Sequence, residues 1–266
     1  MMRPAFLTTE DDPNVVELRR KRDVFYASTK DYSDFNVEAN SKPEIWTPIK
    51  AAIEQRLADK GSCRILEFGA GRTGFAVFLR ELRSRVRFEV QDVTPQNQDY
   101  LSGEADAVHI GDISGLAGDY DIMFSTFVWE HVTNPRHTRD LLLQRLSPGG
   151  SLFVACPRYD MPGYIPPSAR HYTTGARLGL TLWQTARWLG LSGRGEQFLI
   201  HTDPALFHRP WFRDSDAIHW VSMQDFASIP RGFRFSRILI PAPGLRGFIW
   251  SRFLVAFVQI TREDRA

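Results

Sequence analysis

Three glycines and one acid carry the first chemical signal in this chain. Within the run ILEFGAGRTGF, Gly69, Gly71 and Gly74 fall at the spacing of a dinucleotide-binding loop, yet Glu67 stands two residues before the first of them. Between a strand and a helix, such glycines let the backbone turn tightly and approach a ligand closely. The glutamate narrows the choice of ligand. A carboxylate within a few ångströms of a pyrophosphate costs on the order of several kcal/mol in a half-buried site. Beside a ligand that bears positive charge and no phosphate, the same carboxylate is favourable.

Further candidates lie downstream. Asp92 closes the run VRFEVQD, and Asp112 and Ile113 follow the run DAVHIG; each acid suits either a ligand or the cap of a turn. Histidine titrates close to neutrality and is the natural general base. His131, in WEHV, follows a fourth strand-like run, and His171, in ARHY, follows a fifth; each also reads as an ordinary structural residue. His201, His208 and His219 lie among Asp203, Asp214 and Asp216, but at no common zinc spacing, so no metal is expected.

The elements that must position these residues alternate. Ile45, Ile49, Ile53 and Leu57 make one helical face, followed by the strand CRILEF. After Gly74, the spacing of Phe75, Phe78, Leu79 and Leu82 predicts a helix. Strands are expected at VRFEV, DAVHI, YDIMFS and SLFVAC, with a helix from Asn134-Pro135 to Leu146 between the last two. This order predicts a parallel sheet covered on both faces, with its ligand at the carboxyl ends of the strands.

In this register the segment LEFGAG resembles the first motif of class I S-adenosylmethionine-dependent methyltransferases, an acid followed by glycines. The pattern departs where Thr73 stands in place of the third glycine. FEVQDVTP, HIGDIS, YDIMFSTFVWEHV and LLLQRLSPGGSLFVACP resemble the later motifs in the same order, the Glu-His-Val ending being that of small-molecule members. The resemblance covers about residues 60 to 160 and the two terminal strands. It implies a Rossmann-like, seven-stranded, mostly parallel α/β sheet with helices on both faces and its last strand reversed. The implied cofactor is S-adenosyl-L-methionine, held by Glu67, Gly69, Ala70, Gly71, Asp92, Val93, Asp112, Ile113 and Ser125. In that set Asp92 meets the ribose hydroxyls, while Asp112 and Ile113 meet the adenine. His131 and His171 are the candidate catalytic residues.

Residues 1–60 read as a helical lead-in and 61–266 as the methyltransferase domain, with 157–226 an insertion or lid. The 266 residues are 43% hydrophobic and 24% charged with a formal net charge of +2, so no electrostatic case exists for nucleic acid. Cys63 and Cys156 are isolated in apolar runs and read as buried thiols. The first residues lack a long apolar run, and a cytoplasmic location is expected. Leu178, Leu182, Ala186 and Leu189 form an apolar face that is expected to pack on the sheet domain, lying on a membrane being the less favoured outcome. The expected reaction is methyl transfer to a small molecule, at a hydroxyl of a sugar or related metabolite, free or lipid-linked. The rival readings are a nicotinamide-dependent oxidoreductase, for which no Tyr-x-x-x-Lys is evident, and a non-catalytic module that docks on a partner or membrane.

Overall fold

The computed structural model describes residues 3–28, 43–191, 197–241 and 243–264. Parts of the expected lead-in (29–42) and of the expected insertion (192–196) lie outside the described residues. Seven strands form one sheet in the order β4-β3-β2-β5-β6-β9-β8. They are β2 (Cys63–Phe68), β3 (Val86–Asp92), β4 (Ala107–Ile110), β5 (Tyr120–Thr126), β6 (Leu146–Pro157), β8 (Phe233–Arg237) and β9 (Val255–Arg262). The five strands β2 to β6 pair in parallel, while β9 runs antiparallel to both β6 and β8. This is the Rossmann-like sheet with a reversed last strand that the motifs imply.

Strand periodicity sorts the core into two layers. On one face Ile65, Phe88 and Phe124 pack with Ile45, Ile49, Ile53 and Leu57 of α2 (Pro43–Lys60). On the other, Leu66 and Met123 pack with Trp129 and with Leu142 and Leu143 of α5 (Pro135–Gln144). The helix expected after Gly74 is only α3 (Phe75–Phe78). Phe75, Leu79 and Leu82 are buried as their spacing requires, but the chain passes through turns to a 3-10 turn at Arg83–Arg85. Burial was legible there; helix length was not. The link between β8 and β9 is also more than a turn, because it holds α8 (Gly244–Ile249).

A second layer covers the carboxyl edge of the sheet. Strand β1 (Leu7–Thr9) pairs antiparallel with β7 (Leu199–His201), although some 190 residues separate them. Helix α1 (Pro13–Ser28) buries Val15 and Leu18 against Ile200 and Ile218. Residues 3–28 therefore share a core with the described part of 157–226. In that core Leu7 meets Tyr159, Leu180, Trp183 and Trp220.

Helix α6 (Thr174–Trp188) turns opposite to expectation. It buries Leu180, Trp183 and Gln184, and leaves Leu178, Leu182 and Leu189 exposed. Gln184 explains the orientation: its amide donates to the buried carbonyl of Tyr159 at 2.8 Å and to the half-buried carbonyl of Tyr164 at 3.1 Å. Two backbone acceptors that would otherwise be stranded draw that polar side chain inward. Among the described residues no helix is long and apolar enough to cross a membrane.

Candidate active site

The carboxyl ends of β2, β3, β4 and β5 open into a cleft. Gly69, Gly71, Asp92, Val93, Asp112, Ile113 and His131 all line it. The loop after β2 is shaped by left-handed glycines, with φ +68° at Gly69 and +54° at Gly71. A side chain at Gly69 would place its Cβ 2.3 Å from Val128 Cγ1, so glycine there is required by space as well as by backbone.

Asp92 ties this loop to β3. Its carboxylate accepts the Gly71 N–H at 2.8 Å and the Thr94 N–H at 3.0 Å, and burial raises its pKa. Asp112 both lines the cleft and caps a turn, accepting the Ser114 N–H at 2.8 Å; that bonding holds its pKa low. Gln91 escaped the sequence reading. Its amide donates to the Gly111 carbonyl at 2.6 Å and accepts from Gly69 at 3.3 Å, and so spans two loops of the cleft.

Three expected cofactor residues stand behind the cleft wall. Ala70 is fully buried, and Ser125 is buried with a hydroxyl that has no partner. Glu67 shares its strand face with Cys63 and Ile65, pointing beneath the loop. Its carboxyl is hydrogen-bonded to Thr73, leaves Oε2 unpartnered, and is pushed up to about 8 by burial. In the unliganded protein at neutral pH the group thus holds a proton, so the sequence argument from a standing negative charge needs amendment. A positively charged group nearby is what would draw that proton off.

The two histidines separate. His131 lines the cleft and faces acids on both sides. Its Nδ1 lies 3.3 Å from Asp216 Oδ2 and its Nε2 3.9 Å from Glu130 Oε1. Burial works against the charged imidazole, but the acids around it, Asp216 first, outweigh it and raise its pKa. Glu130 is itself pushed up to about 8 by burial, and neither of its oxygens has a partner. Asp214 sits at φ +60°, a backbone conformation costly for any residue with a side chain. His171 does not line the cleft; it lies 3.4 Å from Asp203 and stacks on His208 in the second layer. The ligand atoms of His171, Asp203 and His208 come within 4.8 Å of one another, a proximity invisible in their spacing. His219 is a satisfied core residue, bonded to the Trp129 carbonyl and to Asp225, each at 3.1 Å.

Sequence reasoning also missed α1. Arg22 and Tyr26 line the cleft from that helix. Arg22 donates to the His131 carbonyl at 3.0 Å, and the Tyr26 hydroxyl donates to Asp216 at 2.8 Å. No motif announces them, since both contacts bridge more than a hundred residues.

Residues 41–226 match the family model described as a methyltransferase domain. The chain belongs to that family. It is accordingly an S-adenosylmethionine-dependent methyltransferase, with the sheet order and loop geometry that such enzymes require. No curated protein is significantly similar to it in sequence. Among solved structures, this methyltransferase resembles the plantazolicin methyltransferase BpumL in complex with a triazolic desmethylPZN analog and SAH. Identity there is 12% over 94% of this chain and 98% of that one, with a TM-score of 0.53. It also resembles an S-adenosylmethionine-dependent methyltransferase from Mesorhizobium loti, at 16% identity over 82% of this chain and 98% of that one, with a TM-score of 0.51. At such identities the likeness is one of fold.

Proposed function

We propose that this methyltransferase acts on a small molecule, at a hydroxyl of a sugar or related metabolite, free or lipid-linked. The observation that carries the reading is His131, set in the cleft wall with Asp216 at Nδ1. A carboxylate can only accept, so Asp216 favours the tautomer with hydrogen on Nδ1 and leaves Nε2, 3.9 Å from Glu130 and outside hydrogen-bond distance of it, as the nitrogen that takes a proton from an acceptor hydroxyl. Its pKa is raised, the acids around it, Asp216 first, outweighing burial, so the imidazole holds the abstracted proton more firmly than a free histidine would.

The cleft fits the cofactor by its donor set. In this reading Asp92 meets the ribose hydroxyls, Asp112 and Ile113 the adenine and Val93 the nucleoside face, all of them on the cleft lining, while the Gly69-Ala70-Gly71 backbone allows close approach. Glu67 and Ser125 lie behind the loop with unpartnered oxygens that a polar ligand or its water would satisfy. S-adenosylmethionine, when bound, supplies an electrophilic methyl group on a sulfonium. The chain's own work is to hold the acceptor, keep water out and accept its proton at His131 Nε2.

An extract incubated with isotopically labelled methyl donor, followed by mass spectrometry and NMR of the product, separates an O-methyl from an N-methyl product. Loss of His131 as base should lower kcat about 10²- to 10⁴-fold in His131→Gln. Asp216→Asn should move the acidic limb of the pH–rate profile to lower pH, because the charge that raises the imidazole is gone. Label found only in macromolecules, or an undiminished kcat in His131→Gln, would refute the proposal.

A further inference from the structure

Helix α8 continues as a π-helical turn, Trp250–Leu254, and neither segment buries a residue. Trp250 leans on the core, while Leu245, Phe248, Ile249 and Phe253 are exposed, Leu245 by 75%. Arg246 and Arg252 stand among them, also exposed, and residues 238–254 contain no acid. Helix α6 repeats the pattern. Leu178, Leu182, Trp188, Leu189 and Leu191 are exposed, Arg177 and Arg187 accompany them, and residues 170–191 contain no acid. In a chain whose net charge is only +2, two acid-free arginine helices with outward aromatic and aliphatic side chains are a local departure.

Residues 158–160 link the two segments. The Arg158 N–H donates to the Leu254 carbonyl at 2.8 Å, and its guanidinium pairs with Asp160 at 2.9 Å. Asp160 in turn lines one groove with Arg187 and Trp188 at the end of α6. The α8 segment runs into β9 at the sheet's carboxyl edge, where Val255 at the start of β9 pairs with Pro157 at the end of β6. That is the edge on which the cofactor cleft opens.

We propose that α6 and the α8 segment together form a docking surface for an anionic lipid bilayer. Exposed large apolar side chains on such helices gain by entering the interfacial layer, and arginines at the same level gain from anionic headgroups. A second copy of the chain fits the surface less well. A two-fold contact sets the same patch against itself, arginine facing arginine, with no carboxylate on either helix to relieve the repulsion. Docking holds the cofactor cleft's edge near the membrane and gives access to an acceptor carried there on a lipid.

The test is co-sedimentation of the full chain with vesicles of phosphatidylcholine, with and without phosphatidylglycerol, alongside sedimentation velocity without lipid. The expected result is binding that requires phosphatidylglycerol and weakens with added salt. Arg246→Gln with Arg252→Gln should weaken binding about 30-fold, about fivefold per arginine. Leu245→Ser with Phe248→Ser should abolish it. In both double variants the thermal midpoint and the cofactor affinity should stay at their wild-type values. Absence of binding to phosphatidylglycerol vesicles, or binding indifferent to both pairs of substitutions, would overturn the proposal. So would a dimer that these substitutions dissolve while lipid is ignored, which would assign the face to a second copy.

Discussion

Replacing Gly69 by alanine tests the cleft at its tightest point. The residue sits at φ +68°, where a non-glycine residue loses about 1–2 kcal/mol. The added Cβ would lie 2.3 Å from Val128 Cγ1 and 2.8 Å from Cγ2, so the valine must move; such overpacking typically costs about 1–3 kcal/mol. The two effects add to about 2–5 kcal/mol, a fall in melting temperature of roughly 4–10 °C for a chain of this size. Val128 lines the cleft, so its displacement should also weaken cofactor binding. A double-mutant cycle separates the causes. In a Val128→Ala background the two methyl groups are gone and only the Cβ at 3.1 Å remains, so Gly69→Ala should cost little beyond the backbone part, leaving a coupling of about 1–3 kcal/mol. Urea and thermal unfolding of the four proteins measure this, with calorimetric titration of S-adenosylmethionine. Gly115→Ala is the control, because nothing lies within 4 Å of its Cβ position. A Gly69→Ala protein as stable as wild type, or equal losses in both backgrounds, would refute the steric argument.

Other consequences can be measured on the same material. Asp92→Ala should weaken S-adenosylmethionine by about 1–3 kcal/mol in calorimetry, the usual loss for charged hydrogen bonds; unchanged affinity would reduce Asp92 to a tie between β3 and Gly71. Glu67 and Glu130, both pushed up to about 8 by burial, hold protons in the folded state that the unfolded chain releases near 4.5. Stability of the ligand-free protein should therefore fall as pH rises from about 6.5 to 8, by up to about 1.4 kcal/mol per pH unit for each group. His201, pulled down to about 3 by burial, acts in the opposite sense only below 6.5, and Glu67→Gln should flatten the slope. Thermal melts across that range check the sign. Tyr26→Phe removes the 2.8 Å bond to Asp216 and should cost about 1.5–3 kcal/mol in urea unfolding, a loss absent if α1 does not close on the cleft.

Much of the central sheet could be read from residue order, because strand and helix periods are local properties. CRILEF is β2 to the residue, and Ile45, Ile49, Ile53 and Leu57 form the buried face of α2 as their spacing requires. The glycine spacing and the acids at the strand ends located the cleft for the same reason: a strand's carboxyl end and the loop after it are set within a few residues. Side-chain facing was harder. Glu67 was placed correctly along its strand, yet which neighbours would bury it, and hence whether it carries charge, depended on the packed loop above it.

Only the tertiary structure decided what closes over the cleft. Tyr26 meets Asp216 across 190 positions, and Arg22 meets the His131 carbonyl across 109. His171, alike in promise to His131 by sequence, pairs with Asp203 away from the cleft. Helix α6 has two faces of similar apolar content, and two distant carbonyls waiting for Gln184 chose which one turned inward. A period in the sequence reports that a face exists. Which face is covered, and by what, follows from long-range hydrogen bonds and packing that no local pattern encodes.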